Sequence, residues 1–150
     1  MSRRLAFVRA LVVCATGLAP MSAFAGVFTV NTTDYMAGAV GTQGGLKAAV
    51  AYANANPGTT IQFHIPAGQI SAGGYFRIAP PANQFGIPLV ITQSNTVIDA
   101  TTQTAFTGNT NAAGPEVQLD GQLVAQSQPP GQLNFGSDGF VLQNVQNSIV

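Results

Sequence analysis

The chain has no tryptophan, a single cysteine, a single histidine and charged residues at only 7% of its 150 positions. Each shortage excludes something. With Cys14 alone no intramolecular disulfide can close, and with His64 alone no histidine or His/Cys cluster of the kind that holds zinc can assemble. No motif around His64 supports a Ser-His-acid triad. The glycine-rich run Gly38 to Lys47 has Leu46 where a phosphate-binding loop needs glycine before its lysine, which removes a nucleotide-loop reading. An apolar fraction of 46% argues against disorder and for one packed domain.

The first residues carry the marks of an export signal. Met1-Ser2-Arg3-Arg4 is basic, Leu5 to Ala19 is mostly apolar, and Ala23-Phe24-Ala25 is a small-x-small cleavage signature. The run ends in Pro20 and is too short to span a bilayer, so residues 1–25 are expected to be a signal peptide cleaved after Ala25. A lipoprotein reading of Leu11 to Cys14 is opposed by the bulky Val13 before the cysteine. Arg3, Arg4 and Arg9 leave with the signal. Lys47 and Arg77 then face Asp34, Asp99, Glu116, Asp120 and Asp138, a net charge of −3. Two scattered cations cannot neutralise a row of phosphates, which excludes nucleic acid as a partner, and no later segment reaches membrane-spanning length. The expected destination is the periplasm, the cell surface or the medium.

Residues 26–150 read as one domain of short strands. Val27 to Val30 is a β-prone run before the turn residues Asn31 to Asp34; Asn31-Thr32-Thr33 also fits a glycosylation acceptor, which matters only in a eukaryotic secretory pathway. Leu46, Ala49, Val50 and Ala53 recur at helical spacing between Thr42, an available N-cap, and Pro57-Gly58. Gly44 and Gly45, placed in the first turn, would weaken that helix by roughly 1 kcal/mol each. Ile61, Phe63 and Ile65 alternate in a strand that Pro66 ends and that the helix is expected to cover. Tyr75 to Ile78, Leu89 to Ile91, Val97-Ile98, Val117 to Leu119 and Phe140 to Leu142 are further short strands, and 101–115 and 121–139 are expected to be long polar loops.

Three of these strands echo one another. Val97-Ile98-Asp99-Ala100 returns as Gln118-Leu119-Asp120-Gly121, 21 residues from aspartate to aspartate, and Leu142 follows Leu119 by 23 residues. A strand too short to bury its own apolar face, repeated at such a period, is what a stacked solenoid requires.

The stretch Gly44 to Val50 followed by Ala53-Asn54-Ala55-Asn56-Pro57-Gly58 and Ile61-Gln62-Phe63-His64-Ile65-Pro66 resembles the N-terminal region of exported bacterial right-handed parallel β-helix repeat proteins of the surface or passenger type. Val97 to Gln103 and Val117 to Gly121 resemble that family's first coils. Gly45, Lys47 and Thr59-Thr60 depart from its usual residues. The resemblance implies a mainly β fold, a right-handed parallel β-helix with a short helix capping its N-terminal end.

With a 21-residue register, Asp99 and Asp120 would stack about 4.8 Å apart on consecutive coils. Such a pair would favour a bound cation such as Ca²⁺, or a substrate. Alternatively each aspartate ends its strand in an Asx-type turn beside Ala100 or Gly121, and this is the expectation. Glu116 and Asp138 sit at loop-to-strand junctions, but nothing in the sequence sets the separation that glycoside hydrolysis needs. Tyr35, Tyr75, Phe76 and Phe106 fall in or near loops, where rings either stack on sugars or anchor the loop. The amide-rich 143–147 segment suits ladders between coils, a structural role.

No catalytic site and no cofactor are therefore expected. The reading is an exported structural or adhesive module, part of a longer surface or secreted protein, presenting loops to a surface polysaccharide or a protein and prone to self-association through an uncapped β-helix end. The alternative is the N-terminal fragment of a carbohydrate-active β-helix enzyme, a polysaccharide lyase or glycoside hydrolase, with its catalytic coils beyond Val150.

Overall fold

The computed structural model describes residues 25–82, 89–121 and 139–150. Residues 1–24, all but the last residue of the expected signal peptide, and Asp138 lie outside the described residues. In order, the elements are β1 (Val27–Val30), β2 (Gln43–Gly44), α1 (Leu46–Ala55), β3 (Thr60–Phe63), a one-turn helix (Ala67–Gln69), β4 (Phe76–Ile78), β5 (Leu89–Ile91), β6 (Val97–Asp99), α2 (Thr101–Thr107), β7 (Val117–Leu119) and β8 (Phe140–Leu142). The result is a mixed α/β arrangement of short parallel strands in small sheets.

The strands form three sheets, ordered β2-β1-β3-β6, β4-β7 and β5-β8. From β3 the chain visits the first, second and third sheets, returns to them in the same order through β6, β7 and β8, and comes back to the first where Ile149 bridges Val97. Thr60 pairs with Val97, Phe76 with Val117 and Leu89 with Phe140, so successive visits to a sheet are 37, 41 and 51 residues apart.

This register overturns the 21-residue stack. The three echoing strands β6, β7 and β8 lie in three different sheets, and their spacing is the step from one sheet to the next. Asp99 pairs with Gln62. The Asp120 amide instead donates to the Ile78 carbonyl, in the second sheet.

β1, β3, β4, β5 and β6 alternate as the period of two requires, whereas β7 is partly buried throughout. Phe28, Val30, Ile61, Phe63, Phe76, Ile78, Leu89, Ile91 and Ile98 are buried between the sheets. The α1 residues Leu46, Ala49, Val50 and Ala53, predicted from their spacing, are the buried ones of that helix. They pack on β1 and β5 as well as on the expected β3.

Helix α1 starts later than its sequence suggests. Gln43-Gly44 is a strand on the outer side of β1, and Gly45, not Thr42, is the N-cap, with no side-chain bond. A Cβ on Gly45 would lie 2.4 Å from the Asp34 carbonyl oxygen and 3.0 Å from both Ala37 N and O, so backbone packing excludes any side chain there. The second helix, α2, occupies what reads as loop, because nothing in Thr101-Thr102-Gln103-Thr104 advertises helical periodicity.

The corners before β3, before β6 and before the Ile149 bridge are built one way. Gly58, Asn95 and Asn147 have φ of 78°, 62° and 54°, and they precede Thr59, Thr96 and Ser148. Thr59 and Thr96 are fully buried, and each hydroxyl donates to the carbonyl three residues earlier, Asn56 and Gln93. Asn147 Nδ2 donates to Asn95 Oδ1 at 3.4 Å, one rung of the amide ladder expected of the 143–147 segment. Asn95→Gly should leave urea stability nearly unchanged, whereas Asn95→Val should cost roughly 1–2 kcal/mol, because a β-branched side chain resists the left-handed conformation. Equal effects of the two would show that this φ is not maintained.

Candidate functional site

The best-defined polar surface is the outer face of the first sheet. Thr29, Gln62 and Asp99 lie in register on β1, β3 and β6, all alternating with buried neighbours. Gln62 Nε2 donates to Thr29 Oγ1 at 2.9 Å. Beyond the strands, Asn31 Nδ2 donates to Gln43 Oε1 at 3.2 Å, and the His64 ring stacks on Phe106 with centroids 4.9 Å apart and planes 14° from parallel. Phe106 is 51% exposed, an aromatic edge to this polar face.

Asp99 makes the turn expected of it. Its Oδ1 accepts from the Thr101 amide at 3.0 Å and the Thr101 hydroxyl at 2.6 Å, and its carbonyl accepts from Thr102 Oγ1. Asp120 is held differently: Arg77 Nε donates to its Oδ2 at 2.6 Å across the second sheet. Both side chains remain partly exposed, so the pair contributes on the order of 0–1 kcal/mol and mainly fixes direction. Glu116 Oε2 accepts from Thr104 Oγ1, and Asp34 Oδ1 accepts from the Met36 amide. Each of the four described carboxylates is thus committed to a separate local partner. The structure brings none of them together as an acid and base, and among the described residues no three acidic, His or Cys side chains converge on a cation position.

The aromatics divide. Tyr35, in a turn, and Phe76, at the start of β4, are 3% and 0% exposed and belong to the core, as rings that anchor a loop do. Burial raises the pKa of the Tyr35 phenol above its ordinary value. Tyr75 is half-buried, which leaves Phe106 as the exposed ring.

Three amide side chains that sequence reasoning passed over bond to backbone. Asn54 of α1 donates through Nδ2 to the Val90 carbonyl at 2.7 Å and accepts from the Thr92 amide at 2.9 Å. It thereby occupies the edge of β5 as another strand would. Gln103, fully buried, does the same to Ile65, accepting from its amide at 2.7 Å and donating to its carbonyl at 3.0 Å. Gln69 Oε1 accepts from the amide and hydroxyl of Thr33 and the hydroxyl of Thr32. The only sequence signal would have been an uncharged amide within an otherwise small or apolar helical stretch.

Among the described residues no helix is long and apolar enough to cross a membrane. The chain matches no family model, no curated protein and no solved structure.

Proposed function

We propose that this chain is an exported structural and adhesive module, the capped N-terminal part and first coils of a right-handed parallel β-helix. The observation that carries the reading is the repeated passage through three parallel sheets in one order, with α1 against the first visits. A right-handed hand follows from the general preference of parallel crossovers. The basic, apolar and small-x-small series of residues 1–25 supports export. The outer face of the first sheet, where Thr29, Gln62 and Asp99 lie in register, suits hydrogen bonding to a partner such as a surface polysaccharide or a protein.

Two measurements test this. Expressed with its leader in a bacterium, the protein should leave the cytoplasm and have a mass beginning at Gly26; retention of the leader counts against export. The purified mature chain, incubated with acidic and neutral polysaccharides with and without Ca²⁺, should release neither reducing ends nor unsaturated products. Products that vanish in Asp99→Ala or Asp120→Ala variants would establish a carbohydrate-active enzyme instead.

A further inference from the structure

On the side of α1 the first and third sheets are closed differently. In the first sheet the outer edge of β1 is covered by backbone, since Thr29 and Val30 pair with Gln43 and Gly44 of β2. In the third sheet β5 pairs with β8 on one side, where Ile91 O accepts from the Gln143 amide. Alternate residues of a strand turn their backbone groups to opposite sides, so Val90 and Thr92 face away from β8. Those are the groups Asn54 takes: its Nδ2 donates to Val90 O at 2.7 Å and its Oδ1 accepts from Thr92 N at 2.9 Å. A residue of a parallel strand set opposite Ile91 would make the same two bonds. A helix cannot supply them from its backbone, whose groups are bonded within it. Closing β5 therefore falls to one side chain.

We propose that Asn54 guards β5 against strand addition, and that the occupant it excludes is the same edge of a second copy of this chain. An edge with unbonded N–H and C=O groups is a template for another strand. Leu89-Val90-Ile91-Thr92 is uncharged and built of apolar and β-branched residues, which pair readily. A two-fold axis sets an edge against its own copy, and antiparallel pairing of two β5 strands satisfies that symmetry. Charge repulsion offers little resistance, with charged residues at only 7% of positions. Asn54 is half-buried, while Leu46, Ala49, Val50 and Ala53 carry the packing of α1, so its amide serves the edge and not the core. This role belongs to the capped end and does not depend on the adhesive reading.

The test compares the purified exported chain with its Asn54→Ala variant by sedimentation velocity over a concentration series, with hydrogen exchange of the Thr92 amide in the wild type. Alanine keeps the helix and removes both bonds. Asn54→Ala should self-associate at concentrations about tenfold or more below those the wild type needs. Adding Thr92→Pro, which deletes the outward N–H of the edge, should return association to the wild-type value. The Thr92 amide of the wild type should be protected from exchange. Should Asn54→Ala lack a dispersed NMR spectrum, Asn54→Ser, whose single hydroxyl cannot make both bonds, is read in its place. A folded variant that associates no more tightly than wild type overturns the proposal. So does a gain in association that survives Thr92→Pro, or a wild-type Thr92 amide that exchanges as in an unfolded chain.

Discussion

Gln103→Leu is expected to lower unfolding free energy by on the order of 2–5 kcal/mol, read as a shift of the urea midpoint at constant slope. The size follows from what is stranded. Gln103 is fully buried, and its amide satisfies both the N–H and the C=O of Ile65, itself fully buried. Leucine has nearly the same bulk but leaves both backbone groups without water or partner, each costing about 1–3 kcal/mol. Thr107→Val removes only the hydroxyl bonded to Gln103 Nε2 and should cost about 1 kcal/mol or less. Gln103→Glu adds a sign. An ionised carboxylate can accept from Ile65 N–H but opposes its carbonyl, whereas a protonated one can donate to it. Burial and that carbonyl raise the folded-state pKa of the new group above its unfolded value, so the native state binds the proton more tightly. The Gln103→Glu variant should therefore gain stability relative to wild type as pH falls towards the unfolded carboxyl range, and lose it as pH rises through the folded pKa. A pH-independent difference would mean that residue 103 does not face the Ile65 backbone.

Gln103 also shows where sequence reading stops. Alternation in Ile61-Gln62-Phe63 and spacing in Leu46-Ala49-Val50-Ala53 are properties of one segment, and burial followed them. Strand pairing is a property of two distant segments. The echo among β6, β7 and β8 is real as a sequence pattern, because each strand meets the same demand for inward apolar residues and a corner after them. The demand is the same in all three sheets, however, so similarity cannot distinguish the neighbour around the turn from the neighbour one circuit later. What does distinguish them is the corner. Gly58, Asn95 and Asn147 share a left-handed φ, lead into the first sheet, and are spaced by the same 37 and 52 residues as the paired positions Thr60, Val97 and Ile149. Glycine and asparagine are the residues that tolerate that conformation, so Gly-Thr, Asn-Thr and Asn-Ser before a strand carried the true circuit length. The aspartates carried only turn chemistry. Helix α2 was hidden for a related reason: its one fully buried side chain is Gln103, a polar residue held by backbone bonds, and hydrophobic periodicity does not register it.

Phe76→Ala should be the most damaging apolar truncation in β4, costing about 3–5 kcal/mol, because the ring is fully buried and its loss leaves a cavity the sheets can only partly close. The neighbours make the test one of topology. Ile78 is 1% exposed on the same face, and Ile78→Ala should cost about 2–4 kcal/mol. Arg77, between them, points outward to Asp120, and Arg77→Ala should cost about 1 kcal/mol or less. Large, small, large along three consecutive residues is the signature of a strand with one face to the core, and equilibrium urea unfolding of the three variants reads it directly. The sequence 75–78 alone was compatible with a loop whose aromatics face solvent or a ligand. On that alternative Phe76→Ala would be nearly silent in stability and the order would collapse. If the order holds, β4 is the second-sheet strand of the first circuit, and Val117 and Leu119, paired with Phe76 and Ile78, take their inward direction from it. The outward Arg77 and Gln118 then belong to one surface, and Val117 and Leu119 pack against the core on the other side of the same sheet.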